Sequence, residues 1–403
     1  MSHSAPGLEA RTLPFKAAHS LLEFADAANP LFWGRGDDVL IGSGQTVRLT
    51  FSGPNRFQDA ARQWDELVRQ ASVHDEVGVP GSGLIAWASL SFSADSAQSS
   101  VLVVPRFVWG RRGGVGFFTE IRIVDRSPSA APSRVAVGEH ARIDWEPVGD
   151  AASYRMAVAA AVSEIRSGRL DKVVLARAVR GELADGSDVR LALRRLRERF
   201  VDTWVFSVDG LVGASPETLV AAREGAAEVR VLAGTLDASQ GGATRLTESA
   251  KDQLEHRFAI DNVSASLERA GIRAELTGPP YALELPELWH LASDLRIEAG
   301  ERSLWDVVAA LHPTAAVAGT PTEVALEVIA ELEPGDRGRY AGPVGWMDSS
   351  GNGEWAIALR CAHITGRSVR ANAGGGIVSS SDPGLEFAET ELKLRAIQSA
   401  FLQ

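Results

Sequence analysis

Cysteine is almost missing from this chain. Cys361 stands alone, so no internal disulfide and no zinc site built from several cysteines can form. That composition suits the cytosol, and a cytoplasmic location is expected. The chain has no run of about 18 apolar residues, so no membrane-spanning helix and no membrane partner are expected. Its first residues are polar and lack the apolar core of a signal peptide. Positive charge is in deficit: 41 Lys and Arg face 52 Asp and Glu, a formal net charge of -11. This argues against a generic nucleic-acid binder. It leaves room for an anionic small molecule, because a local cluster of Arg, Lys and metal overrides a global field. Lysine is scarce beside abundant Ala, Arg and Gly, a coding bias without functional content.

What is present is enough for a large core: 403 residues, 45% hydrophobic. No repeat and no long low-complexity tract interrupts it. Residues 1–145 read as a strand-rich first part of one fold, with strands at 84–92 and 100–105 and a helix at 60–71. The stretch 127–133 is the best linker candidate. Residues 146–403 read as the region that carries chemistry. Helices are predicted at 151–168, 189–199, 247–270, 304–311, 322–332 and 384–401. Strands are predicted at 172–179, 203–208, 211–214, 229–232, 344–347, 355–364 and 369–371. Strands adjacent in sequence imply antiparallel pairing with helices packed outside, an α+β class.

Several polar residues have no place in an ordinary core. Lys172 opens a strand and shares a face with Val174, Ala176 and Ala178, while Arg177 points the other way. A desolvated lysine is a competent general base; read alone, it is a strand-end lysine snorkelling to water. Ser215-Pro216-Glu217 ends a strand in a turn, where Pro216 sets the angle of Glu217. An apolar wall would make Glu217 a general acid; otherwise it is an exposed turn carboxylate. Leu232-Ala233-Gly234-Thr235 follows a strand, and its N–H groups and the Thr235 hydroxyl suit a carboxylate. Arg360 lies inside an apolar strand, and Gly374-Gly375-Gly376 forms a glycine turn without phosphate-loop spacing. Glu386, Glu389 and Lys393 share one helical face, which alone is a surface salt bridge. A carboxylate from another helix, Glu255, would turn them into a hard-oxygen Mg²⁺ site.

Taken in order, the motifs Lys172–Arg177, Ser215–Glu217, Leu232–Thr235, Lys251–His256, His290–Ser293, His312–Thr314, Gly342–Trp346, Ile357–Arg360 and Glu386–Thr390 closely resemble the chorismate-utilising enzymes, and among them the isochorismate synthases. The resemblance runs from about residue 150 to the end. It implies large antiparallel β-sheets layered with helices, as in anthranilate synthase component I, with a Mg²⁺-dependent site between the sheets. By resemblance Lys172 activates water and Glu217 protonates the departing hydroxyl. Glu255 and Glu389 hold Mg²⁺ on the ring carboxylate of chorismate, with Glu386 acting through a water. Gly234, Thr235, Gly375 and Gly376 approach the substrate, Tyr340, Arg360 and Lys393 contact its carboxylates, and His290 sits beside the ring. Thr314 and Ala316 complete the substrate set. The chain departs from the family pattern at Ala315, often proline in relatives, and in the run Ala373-Gly374-Gly375-Gly376. Rival readings are a salicylate synthase, which goes on to eliminate pyruvate, an ammonia-using aminochorismate-type synthase, and a non-catalytic relative. Lys172 favours water over ammonia. The product would feed menaquinone or a catecholate siderophore, and a monomer or weak homo-oligomer is expected.

Overall fold

Leu31, Trp33 and Leu40 belong to one buried cluster, and Phe32, Val39 and Ile41 to a second. Successive strand residues point to opposite faces, so these strands are covered on both sides and need two layers of partners. The computed structural model describes residues 6–16, 20–126, 130–147, 150–237, 243–285, 288–298 and 302–402, with backbone only at 234–237, 250, 251, 255, 284, 285 and 288. The linker candidate 127–133 starts outside that set.

Among the described residues the strands form one sheet of thirteen and one of ten. The first runs from Ile143–Pro147 through Lys172–Leu183, Ser368–Ile377, Cys361–Thr365, Leu211–Ser215, Trp204–Val208 and Leu31–Arg35 out to Ser72–Asp75. The second runs from Glu275–Leu276 through Leu288–Glu298, Ala226–Asp237, Thr218–Arg223, Gly353–Ile357, Pro343–Asp348 and Ile85–Ser89 out to Val47–Phe51. These central pairings are antiparallel, while Leu8–Pro14 pairs in parallel with Ser72–Asp75 at an edge. Phe206 is opposite Trp33 and Trp346 opposite Trp87, so strands from before and after residue 145 share both sheets. This is the α+β layering the sequence implied.

Helices cover the outer faces. Pro383–Gln398 begins at Asp382, whose carboxylate accepts from the N–H groups of Gly384 and Leu385. It packs on Ser368–Ile377 and on the helix Ala151–Arg166. The helix expected over 247–270 is two, Ala243–Glu248 and Ala250–Arg269. Ser249 takes extended backbone between them and its hydroxyl caps the N–H of Asp252.

Between the sheets lies a buried carboxylate, Glu354. It accepts from the indole N–H groups of Trp33 (3.0 Å) and Trp346 (3.1 Å) and from Arg112 (2.5 Å) and Arg223 (2.7 Å). Trp33 belongs to the first sheet and Glu354 to the second, so this one group ties them together. Burial alone would raise its pKa; Arg112 and Arg223 overcome that and hold the carboxyl below the usual range.

Candidate active site

Two strands leave the first sheet for the second side by side. Leu211–Ser215 belongs to the first and Thr218–Arg223 to the second, with Pro216 and Glu217 between them. Gly353–Ile357 belongs to the second and Cys361–Thr365 to the first, with Ala358, Leu359 and Arg360 between them. Hydrogen bonds join the crossings: Ile357 N–H to Glu217 O (3.1 Å), Ala214 N–H to Arg360 O (3.3 Å) and Ser215 Oγ to Ile357 O (2.6 Å). This corrects the strand expected over 355–364. Arg360 is not within a strand but at its break, with φ +48°. A left-handed backbone costs a non-glycine residue roughly 1–3 kcal/mol.

The same break opens the first sheet. The ladder between Cys361–Thr365 and Ser368–Ile377 stops at Ala371, while the ladder on the other side, with Lys172–Leu183, runs on to Ile377. One backbone edge of residues 372–377 therefore faces a gap. Gly374, Gly375 and Gly376 lie here in a strand, not in the turn expected from sequence. Their small size has a steric reason. A Cβ on Gly376 would sit 2.9 Å from Lys172 Cε, and one on Gly375 would sit 2.9 Å from Glu386 Oε2. Neighbouring residues of a strand face opposite sides, so the two glycines admit Lys172 and Glu386 from opposite faces. Leu232–Thr235 likewise does not follow a strand. It lies within the strand Ala226–Asp237, where the register slips between Ala233 and Thr235 and leaves Gly234 as the extra residue of a bulge. Thr235 stands opposite His290.

Glu217, Lys172 and Lys393 share one field. Burial pushes the Glu217 carboxyl up to about 7, although the positive charges of Lys172 and Lys393 both pull it down. Lys393 donates to Gly374 O (2.8 Å) at the sheet's open edge and pairs with Glu389 (2.5 Å). Tyr340 is buried, and its hydroxyl lies 3.4 Å from where a Gly374 Cβ would be. Burial lowers the Arg360 pKa, with Tyr340 and Glu389 acting the other way; the group stays cationic.

Glu386 carries the observation that bears on a metal. Ser381 donates to its Oε1 (2.7 Å), but Oε2 is buried without a protein partner. Burial raises its pKa and the neighbouring Glu389 adds to that, against Ser381 and Lys393. An orphaned carboxylate oxygen beside a second carboxylate is a donor set that fits a hard divalent cation. Glu255 lies on Ala250–Arg269, the helix that covers Ala226–Asp237, but its side chain is outside the described residues, as are those of Gly234 and Thr235. Among the described residues no three His, Cys, Asp or Glu side chains gather as metal ligands. Thr314 follows the helix Leu304–Leu311 and has a buried hydroxyl without a protein partner, whereas Ala316 in the same turn is exposed.

Sequence reasoning missed the support behind Lys172. Glu333 accepts from Ala176 N–H (2.7 Å), and Arg337 donates to Val174 O (2.7 Å) and Val317 O (2.8 Å) while pairing with Glu333 (2.5 Å). The pair substitutes for a neighbouring strand along residues 174–176. Its i, i+4 spacing is visible in sequence, but resembles any surface pair. Arg177 pairs instead with Glu391 and donates to Thr390 Oγ1 (2.6 Å) on the terminal helix, as the two-residue period requires.

A family model described as chorismate binding enzyme matches residues 11–402, so the similarity extends well before residue 150. The isochorismate synthase DhbC of Bacillus subtilis is 35% identical over 274 residues, 63% of this chain and 69% of that protein. The isochorismate synthase EntC of Escherichia coli is 34% identical over 273 residues, 64% and 69% of the two chains. The structure of MenF, the menaquinone-specific isochorismate synthase from Escherichia coli, matches with a TM-score of 0.79 at 25% identity, covering 99% of this chain and 96% of that one.

Proposed function

We propose, for a chain that belongs to the chorismate-binding enzyme family, that its reaction is the isomerisation of chorismate to isochorismate. One observation carries the assignment of roles. Glu217, pushed up to about 7, holds a proton near neutral pH in the field of Lys172. An acid and a candidate base in one electrostatic field are what exchange of a ring hydroxyl needs. Lys172 takes a proton from water as the water oxygen bonds to a ring carbon. The ring double bonds shift, and the departing hydroxyl leaves as water with the proton of Glu217. One water enters and one leaves, so the net change is isomerisation.

Arg360, Lys393 and Tyr340 line the place for the substrate carboxylates, which explains how a dianion binds an acidic chain. The open edge at Gly375 and Gly376 offers backbone groups to the same ligand, and Gly234, Thr235, His290, Thr314 and Ala316 are assigned to the ring's surroundings. Glu389, with Glu255 from the helix Ala250–Arg269, would hold Mg²⁺, and Glu386 would act through a water or from behind the ligands. Bound there, the ion would neutralise a substrate carboxylate and polarise the ring. We place this centre in residues 146–403, with residues 1–145 completing both sheets, and the protein in the cytosol as a monomer or weak homo-oligomer. Among the described residues no helix is long and apolar enough to cross a membrane.

Chromatography of the products from chorismate and Mg²⁺, without ammonia or glutamine, tests the reaction. Isochorismate as the main early product is expected; salicylate with pyruvate would reassign the chain to salicylate synthesis. The metal assignment has its own test. Calorimetric titration with Mg²⁺ should show Glu386→Gln and Glu389→Gln weakened by about 10–100-fold. Unchanged Mg²⁺ affinity in a variant would remove that residue from the metal's surroundings.

A further inference from the structure

A cavity of about 420 Å³ lies on the far side of Tyr340. Along the strand Ser368–Ile377, Gly376 faces Lys172 and Gly374 faces Tyr340. Asn372 and Arg370 continue that face into the cavity. At 3.3 Å per residue, Arg370 is about 20 Å along the strand from Gly376. The cavity thus extends along the strand away from Lys172, and Tyr340 is a wall it shares with the reaction centre.

Its polar lining is unbalanced. Arg339 is 5% exposed; it gives two N–H groups to Asp209 (2.8 Å and 3.3 Å), and its Nε is buried without a protein acceptor. Arg370 Nε is also buried without one. The acids nearby are committed elsewhere. Asp209 is shared with Arg48 (3.0 Å) and Glu333 pairs with Arg337. Asp336 holds the rim by accepting from Gly338 N–H (2.8 Å), Ala97 N–H (3.0 Å) and Ser96 Oγ (2.8 Å). His363 adds no charge, since burial pushes its pKa down to about 4. Arg180 adds like charge beside Arg370, while Asp336 and Glu333 act on it with opposite sign but without a hydrogen bond to it. Both guanidinium groups line the one cavity, and each keeps a buried Nε–H without a protein acceptor, at a cost of roughly 1–3 kcal/mol.

We propose that this cavity binds a small oxyanion, a carboxylate or a phosphate, between Arg339 and Arg370 with Asn372 as a further donor. Planar guanidinium groups match both anions. A volume of about 420 Å³ admits a small organic acid as well as inorganic phosphate.

Calorimetric titration of the full chain with sodium phosphate and with sodium succinate, at ionic strength held constant with chloride, tests this. Saturable binding of one anion per chain is expected, and the tighter of the two identifies the source. Arg370→Gln should weaken it by about tenfold or more, while Arg360→Gln, which alters the reaction centre, should leave it unchanged. Asn372→Ala is a milder second variant, expected to weaken the same anion if Arg370→Gln folds poorly. Absence of saturable binding, equal affinity in the cavity variants and wild type, or loss in Arg360→Gln alone would overturn the proposal.

Discussion

Lys172→Ala is expected to lower kcat by about 10²–10⁴-fold while chorismate still binds. The lysine lies across Gly376 at the opening of the first sheet, within the field of Glu217. Removing it deletes the base proposed to take the proton from water and leaves Arg360 and Lys393, the proposed carboxylate contacts, in place. Single-turnover kinetics at saturating chorismate measures the effect; near-wild-type rates would make Lys172 an ordinary strand-end lysine. Glu217→Gln should lose a comparable factor, and the double variant should be far less impaired than the product of the two. The pH dependence has a definite sign. Glu217 must be protonated to act, so the rate should fall as pH rises through about 7. Stability runs the same way. The folded carboxyl binds its proton more tightly than the ordinary value of 4.5 allows, so stability declines as pH rises from 4.5 to about 7. Glu217→Gln should therefore melt higher than wild type above that range, a gain in stability with a loss of activity.

Glu354→Gln is expected to destabilise the protein by about 3–5 kcal/mol, because it removes the close anion of buried Arg112 and leaves it only Asp38 at 4.0 Å. Arg112 is 4% exposed at its side chain and Glu354 is 1% exposed, so water cannot replace the lost partner. Thermal melting gives the shift; a change of a few tenths of a kcal/mol would show that the two indoles suffice to join the sheets. Because its folded pKa is depressed, the carboxylate's contribution is present above the ordinary value and is lost as pH falls through the folded one. Wild type and Glu354→Gln should converge in acid.

Lysine occurs only at Lys16, Lys172, Lys251 and Lys393. Elsewhere arginine does the cationic work, as at Arg112, Arg337 and Arg360. Arginine stays charged, whereas lysine can lose its proton in a dry site. Keeping lysine at residue 172 in an arginine-rich chain is thus legible chemistry. So is the order of motifs from Lys172 to Glu389, since local spacing survives in the linear chain. The alternation at Lys172–Arg177 was legible for the same reason, and Arg177 does turn to the terminal helix.

The errors have one common cause. The sequence pattern puts Arg360 within a strand, Gly374–Gly376 in a turn and Gly234 after a strand. In each case the local pattern was extended or glycine-rich, and the outcome depended on which distant strand lay alongside. Pairing along Ser368–Ile377 continues because Lys172–Leu183, almost two hundred residues earlier in the chain, runs beside it. Periodicity is a property of neighbours in sequence; register and sheet membership are properties of neighbours in space. The chain by itself therefore determined the family and the α+β class. Only the tertiary structure decided that the strand crossings at Glu217 and Arg360 run side by side, that the sheet opens beyond Ala371, that Glu386 keeps an unpartnered oxygen and that Glu354 joins the sheets, because burial and field at each group are set by residues far away in the chain.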